Sequence, residues 1–300
     1  MKRKGDLERE IRQHRGRADQ LDRAALRPML AAFDDGSGEL LVQLTRASRG
    51  ALRQQLDAGH IARINRSLRQ LVPRVLRDLG TQLKSSTHST LLESLRGLAS
   101  FVSRVEGRTT RLDDDDRLRA LLRNNLHHLD RLRNDSLKRI HHDIGNQLQR
   151  RLRDLPSDAT VSEAITAVGD EFDAQRWRVE RTARTETSYA FNQAQANGVG
   201  LLQKEFPGLM QRWTEMVDDA TGMPLDAAVA WDSIAMHGQV TPPGGVFTMP
   251  SDPRVSAKMI GQQWNHPPNR PNDRAVLTPW HKGWGIPAWV WQGRRITLRT

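Results

Sequence analysis

The chain has 300 residues, no cysteine and a formal net charge of +11. That length admits one large domain or two ordinary ones, and the missing thiols exclude disulfides and thiolate zinc sites. No run approaches the roughly 18 apolar residues of a membrane span. The basic start Met1-Lys2-Arg3-Lys4 leads into charged residues rather than a secretory signal's apolar core. A soluble, non-membrane chain is expected.

The charge excess lies in the first half. Residues 1–160 carry 32 Lys and Arg against 21 Asp and Glu, whereas residues 161–300 carry 14 of each. Only seven of the 46 basic residues are lysine. Arginine's planar fork suits phosphate and carboxylate, although GC-rich coding would also enrich it. All eight tryptophans fall between Trp177 and Trp291. Two regions follow: a basic helical one over 1–156 and a smaller α+β domain over 157–300.

In chain order, the very basic segment from Met1 to Leu30 is read as mobile. Leu52, Leu56, Ile61, Ile64, Leu68, Leu71, Val75 and Leu79 step by three to five, which predicts an amphipathic helix that Pro73 kinks or divides. Arg63, Arg66 and Arg69 stand on its other face as candidates for contact with DNA or acidic surfaces. Leu91, Leu95, Leu98, Val102 and Val105 mark another helix, with a Ser/Thr cluster before it suited to capping. Asp113 to Asp116 then open the longest pattern, Leu118 to Leu155, a helix of roughly 38 residues and about 57 Å. The four aspartates read as a solvated helix cap in preference to a metal site. Pro156-Ser157-Asp158 is the expected boundary. Thr160-Val161-Ser162-Glu163 starts a helix that continues to about Phe206. Short strands broken by Gly and Pro follow at 212–217, 238–240 and 245–249.

Within the helix after Thr160, Arg184-Thr185-Glu186-Thr187 is followed by small and amide residues: Ala190, Asn192, Gln193, Ala194, Gln195. Small residues allow a close neighbour, and amides can satisfy exposed backbone groups. Glu186 could act as a catalytic acid, but a lone acid between arginines reads better as structural. Next come Trp213 with the turn Asp218-Asp219-Ala220-Thr221, then His237-Gly238, then Pro267-Pro268 leading to Asn272-Asp273-Arg274 and Trp280. In this order the motifs resemble the phage head morphogenesis family, the Mu-type minor head proteins, over about residues 160–285.

The resemblance implies a non-enzymatic minor capsid protein, phage- or prophage-encoded. It would act in head assembly near the portal, in the host cytoplasm and then in the procapsid or virion. Capsid and portal proteins would be its partners, with self-association into a homo-oligomer and non-specific contact with duplex DNA. Many family members look as if they bind zinc through cysteines at these turns. Here there are none, leaving His237, His266 and His281 as weak ligand candidates. The turns are expected to hold by hydrogen bonds and tryptophan packing, without a cofactor. Two alternatives dispense with the capsid: a non-specific DNA-binding protein, and a metal-dependent nuclease of His-Asn-His type using Asn265-His266 and His281. Trp280, Trp284, Trp289 and Trp291 read as a cap on the C-terminal core or as a docking patch. In the basic helical region the only aromatics are Phe33 and Phe101, so no platform for stacking single strands is expected there.

Overall fold

The computed structural model describes residues 4–110, 112, 116–217, 231–269, 273–284, 288–292 and 295–299. Four long helices come first: α1 (Lys4–Ala47), α2 (Ala58–Glu106), α3 (Asp116–Arg153) and α4 (Val161–Leu202). Short elements follow: β1 (Met210–Thr214), α5 (Trp231–Met236), β2 (Val240–Thr241), β3 (Phe247–Thr248), β4 (Gln263–Trp264), β5 (Val276–Trp280), a 3-10 turn (Lys282–Trp284), β6 (Ala288–Gln292) and β7 (Arg295–Arg299). The fold is α+β and mainly helical. No described helix is long and apolar enough to cross a membrane.

The start of the chain is not a mobile arm; from Lys4 it belongs to α1. Pro73 and the Ser/Thr cluster do not divide α2, which is a single helix of 49 residues. Thr87, Thr90 and Ser94 are buried within it instead of capping a new start. Asp57 is the actual cap of α2, accepting the His60 amide at 2.7 Å. At α4, Thr160 and Glu163 bond reciprocally, Thr160 N to Glu163 Oε2 at 2.6 Å and Glu163 N to Thr160 Oγ1 at 3.3 Å. This is a capping box, and the Thr160 backbone bond holds the Glu163 carboxyl below its ordinary pKa. Asp116 begins α3; Asp113 to Asp115 lie outside the described residues.

Two compact units form, and their division does not follow the boundary expected at 156. Residues 24–86 and 129–183 make one, here the helical unit; residues 1–23, 87–128 and 184–300 make the other, the mixed unit. Each long helix contributes a stretch to each unit. Pro156-Ser157-Asp158 is therefore only the connection between α3 and α4.

The helical unit buries one apolar cluster that includes Met29, Phe33, Leu68, Val75, Leu79, Ile144, Leu148, Val168 and Phe172. Burying each such side chain is worth about 1.5–3 kcal/mol. Gly36 lets α1 approach α2 closely, since a Cβ there would stand 3.0 Å from Val75 Cγ1. Arg176 grips Asp34 through Nε at 2.9 Å and Nη2 at 3.1 Å, and Arg178 pairs with Asp143 at 2.7 Å.

The mixed unit has two apolar clusters. Leu7, Ile11, Leu98, Phe101, Val102, Val199, Phe206 and Trp284 form one among its helices; Trp213, Met236, Phe247, Met249, Ala275 and Leu277 form the other around the strands. The main sheet is antiparallel, in the order β2-β1-β5, with Trp213 opposite Leu277 and Met210 opposite Trp280. Pro279 is tolerated because β5 is an edge strand. β3 pairs with β4, and β6 with β7. The expected strands at 212–217, 238–240 and 245–249 correspond to β1, β2 and β3, shorter or shifted.

Candidate functional site: the polar frame of the mixed unit

The C-terminal half of α4 carries polar side chains that hold β5. Asn192 is fully buried. Its Nδ2 donates to the carbonyls of Ala275 and Ser188, each at 3.0 Å, and its Oδ1 accepts the Leu277 amide at 2.7 Å. One carboxamide thus satisfies a backbone group of the edge strand and one of the residue leading into it, as a neighbouring strand would. Gln195, also fully buried, donates to Ser94 O at 3.0 Å and Oγ at 2.7 Å, while Ser94 Oγ donates to Phe191 O at 3.0 Å. Ala190 and Ala194 are wholly buried beside them. Gly198 is required by close approach, because a Cβ would collide with Leu98.

The family-like motif residues surround this frame. Arg184 pairs with Asp22 at 2.9 Å. Thr185 is half-buried, whereas Glu186 and Thr187 are buried. Trp213 is fully buried, with its ring edge-on to Phe247 at 5.3 Å between centroids. Gly238 has φ of 82° and its amide donates to Trp213 O at 2.8 Å, so the turn after His237 is tied to β1 and favours glycine. His237 is buried, and its Nδ1 accepts the Glu215 amide at 3.0 Å. That bond leaves the proton of a neutral ring on Nε2. The 3.4 Å approach of Arg212 Nη2 to Nε2 then brings two donors together, and we read it as packing. Arg212, Glu215 and Arg15 are buried too, and Arg15 Nη2 donates to Glu215 O.

The Pro267-Pro268 loop is closed by Asp273. Its buried carboxylate accepts the amides of Asn269 and Ala275, both at 3.0 Å, and the Ser233 hydroxyl at 3.4 Å. Arg274 is exposed and Trp280 half-buried. Asp218, Asp219, Thr221 and Asn272 lie outside the described residues. Asp273→Ala should lower the stability of the mixed unit by about 2–4 kcal/mol, because it leaves buried donors without an acceptor. Arg274→Ala should cost under about 1 kcal/mol, as exposed substitutions usually do. Urea titration of both variants checks this; equal midpoints would remove the distinction.

The three candidate histidines do not meet. His266 is buried, with Nδ1 against Pro267 O, Nε2 3.1 Å from Gln193 Oε1, and its ring edge-on to Tyr189 at 4.7 Å. Burial lowers its pKa to about 4. A neutral ring donating from Nδ1 can only accept at Nε2, so the Gln193 amide must turn its NH2 to His266. Tyr189 OH lies 2.9 Å from His128 Nε2, and burial, with the Glu186 charge, raises the phenol's pKa. His281 instead accepts the Gly283 amide at 3.1 Å and packs near Trp284. Among the described residues no group of three His, Asp or Glu side chains could hold a metal.

Trp284 is buried against Phe101 and bonds Glu106 through Nε1. Trp289 and Trp291 lie on β6, where only the backbone is described. Sequence reasoning missed His14, buried between Phe101 and Phe191 at 5.5 Å from each. It also missed Arg15. Both sit in a stretch of α1 whose buried face is polar, so no apolar period signals it.

Fold and site together define a mainly helical protein with a small antiparallel sheet, whose mixed unit is organised round a polar frame. No family model, curated protein or solved structure matches the chain.

Proposed function

We infer that this chain is a minor capsid protein of the Mu-type head morphogenesis class, acting by binding during procapsid assembly near the portal. The observation that carries the reading is the order of four motifs in the sequence: Arg184 to Thr187, Trp213 with its acidic turn, His237-Gly238, and Pro267-Pro268 to Arg274. Further support comes from their placement: the described members of all four lie in the mixed unit, where Trp213 stands on β1 and Gly238 is bonded to it. In this reading the mixed unit docks to capsid or portal subunits, copies of the chain self-associate, and the basic helices contact packaged DNA.

The test is co-purification with procapsids assembled with and without the portal protein from the same source. Stoichiometric, portal-dependent retention is expected. A protein that never enters particles would refute the capsid role. The alternative of a DNA-binding protein without a capsid role is favoured by the exposed arginines of α2 and would predict duplex binding with no particle incorporation.

A further inference from the structure

We propose that one face of α2 in the helical unit is a sequence-independent docking surface for the phosphate backbone of duplex DNA, built by Arg63, Arg66, Arg74 and Arg77. Arg74 and Arg77 were not apparent as members of this surface from the sequence. All four are exposed. At 100° per residue they fall within an arc of about 80°, and they span about 21 Å of helix. Arg69, also exposed, lies about 60° beyond that arc and marks its edge. The opposite face is the one that enters the core, through Ile64, Leu68, Leu71, Val75 and Leu79.

What marks this row is that its charges stand together, with few acids near them in the chain, and are left unused by the fold. Some other arginines are committed within it: Arg17 to Glu93, Arg104 to Glu10, Arg151 to Glu171, Arg176 to Asp34, Arg178 to Asp143. Among the described residues, the side chains of Arg63, Arg66, Arg74 and Arg77 make no ion pair or hydrogen bond. Over residues 58–86 the only acid is Asp78. Four uncommitted guanidinium groups in a row present a positive potential that the fold itself does not use.

The partner follows from what the face lacks. Protein interfaces have an apolar or aromatic core, and no large hydrophobic side chain is exposed on α2 within residues 58–86. Single-stranded nucleic acid needs aromatic platforms, and this stretch has no Phe, Trp or Tyr. A regular polyanion matches what remains. The inference deepens the DNA-contact part of the proposed function and does not depend on the capsid part.

The test is binding of the full chain to a random-sequence 30-base-pair duplex, read by fluorescence anisotropy across a sodium chloride series. Four phosphate contacts predict a slope of log Kobs against log salt of about −3.6, or about 150-fold weaker binding at 200 mM than at 50 mM. Combined Arg63→Gln, Arg66→Gln, Arg74→Gln and Arg77→Gln should remove most of that slope and leave the circular dichroism melt unchanged. A charge-matched control, Arg27, Arg49, Arg150 and Arg153 to Gln, should retain it. Equal losses in both variants would show diffuse charge and overturn the surface. So would tighter binding to the single strand, or to polyglutamate, than to the duplex. Binding to the duplex without entry into procapsids would leave this surface standing and refute the capsid role alone.

Discussion

Replacing Asn192 with alanine is expected to destabilise the mixed unit by about 3–5 kcal/mol. The side chain is fully buried and serves the Ala275 carbonyl and the Leu277 amide at once. Removing it leaves the Leu277 amide of β5 and the Ala275 carbonyl just before it without partners, at about 1–3 kcal/mol each, and adds a cavity. Asn192→Asp keeps the acceptor for Leu277 but loses the donor and buries a charge, so it should also destabilise. Denaturant titration gives the size, and hydrogen exchange of the Leu277 amide gives the place. If Asn192→Ala shifts stability by less than about 1 kcal/mol, β5 is held by its pairing with β1 alone.

The second large effect is a loss of stability in mild acid. Burial lowers the pKa of both His14 and His266 from the ordinary 6.5 to about 4. Near His14, the positive charges of Arg17 and Arg104 act in the same direction, while bonds with Leu277 and Gln195 oppose it. Near His266, His128 adds to the lowering and the Pro267 carbonyl opposes it. Between pH 6.5 and 4 the unfolded chain therefore binds protons that the native rings refuse. Stability is full above pH 6.5 and falls as pH drops, by about 2 kcal/mol per ring at pH 5. Such a total is a large part of a typical domain's stability. Unfolding free energies at pH 7 and 5 should differ by about 4 kcal/mol, and the His14→Gln, His266→Gln double variant should show a much flatter dependence. A wild-type protein equally stable at both pH values would contradict the account.

Such buried polar groups also explain how much of the structure the sequence revealed. The helix from Asp116 to Arg153 was legible in length because its leucines and isoleucines recur without a break. The capping box at Thr160 and Glu163 fixed the start of α4. The α1 helix was hidden: between Ile11 and Ala25 its buried residues are His14 and Arg15, and Pro28, Gly36 and Gly38 lie inside it. In α2, Pro73 and the Ser/Thr run look like interruptions, yet the helix carries through both. The amide residues of α4 could be recognised as groups that tie backbone. Which strand Asn192 would hold could not, since β5 lies far along the chain, beyond every other strand of its sheet, and contains a proline.

The interleaving of the two units has a consequence for synthesis. A ribosome adds about 5–20 residues per second. The helical unit needs residues up to 183, and the mixed unit needs parts of the chain from before Arg23 and from after Arg184. Leu7 and Ile11 emerge early, but their neighbours Val199, Leu202 and Phe206 follow roughly 190 residues later, on the order of 10–40 s. Until then Leu7 and Ile11 have only part of their cluster, Leu98, Phe101 and Val102 of α2, to pack against. The dense charge between its few apolar positions keeps a waiting segment dissolved, so the same composition that conceals α1 from a reader suits a helix whose first turns complete their packing late.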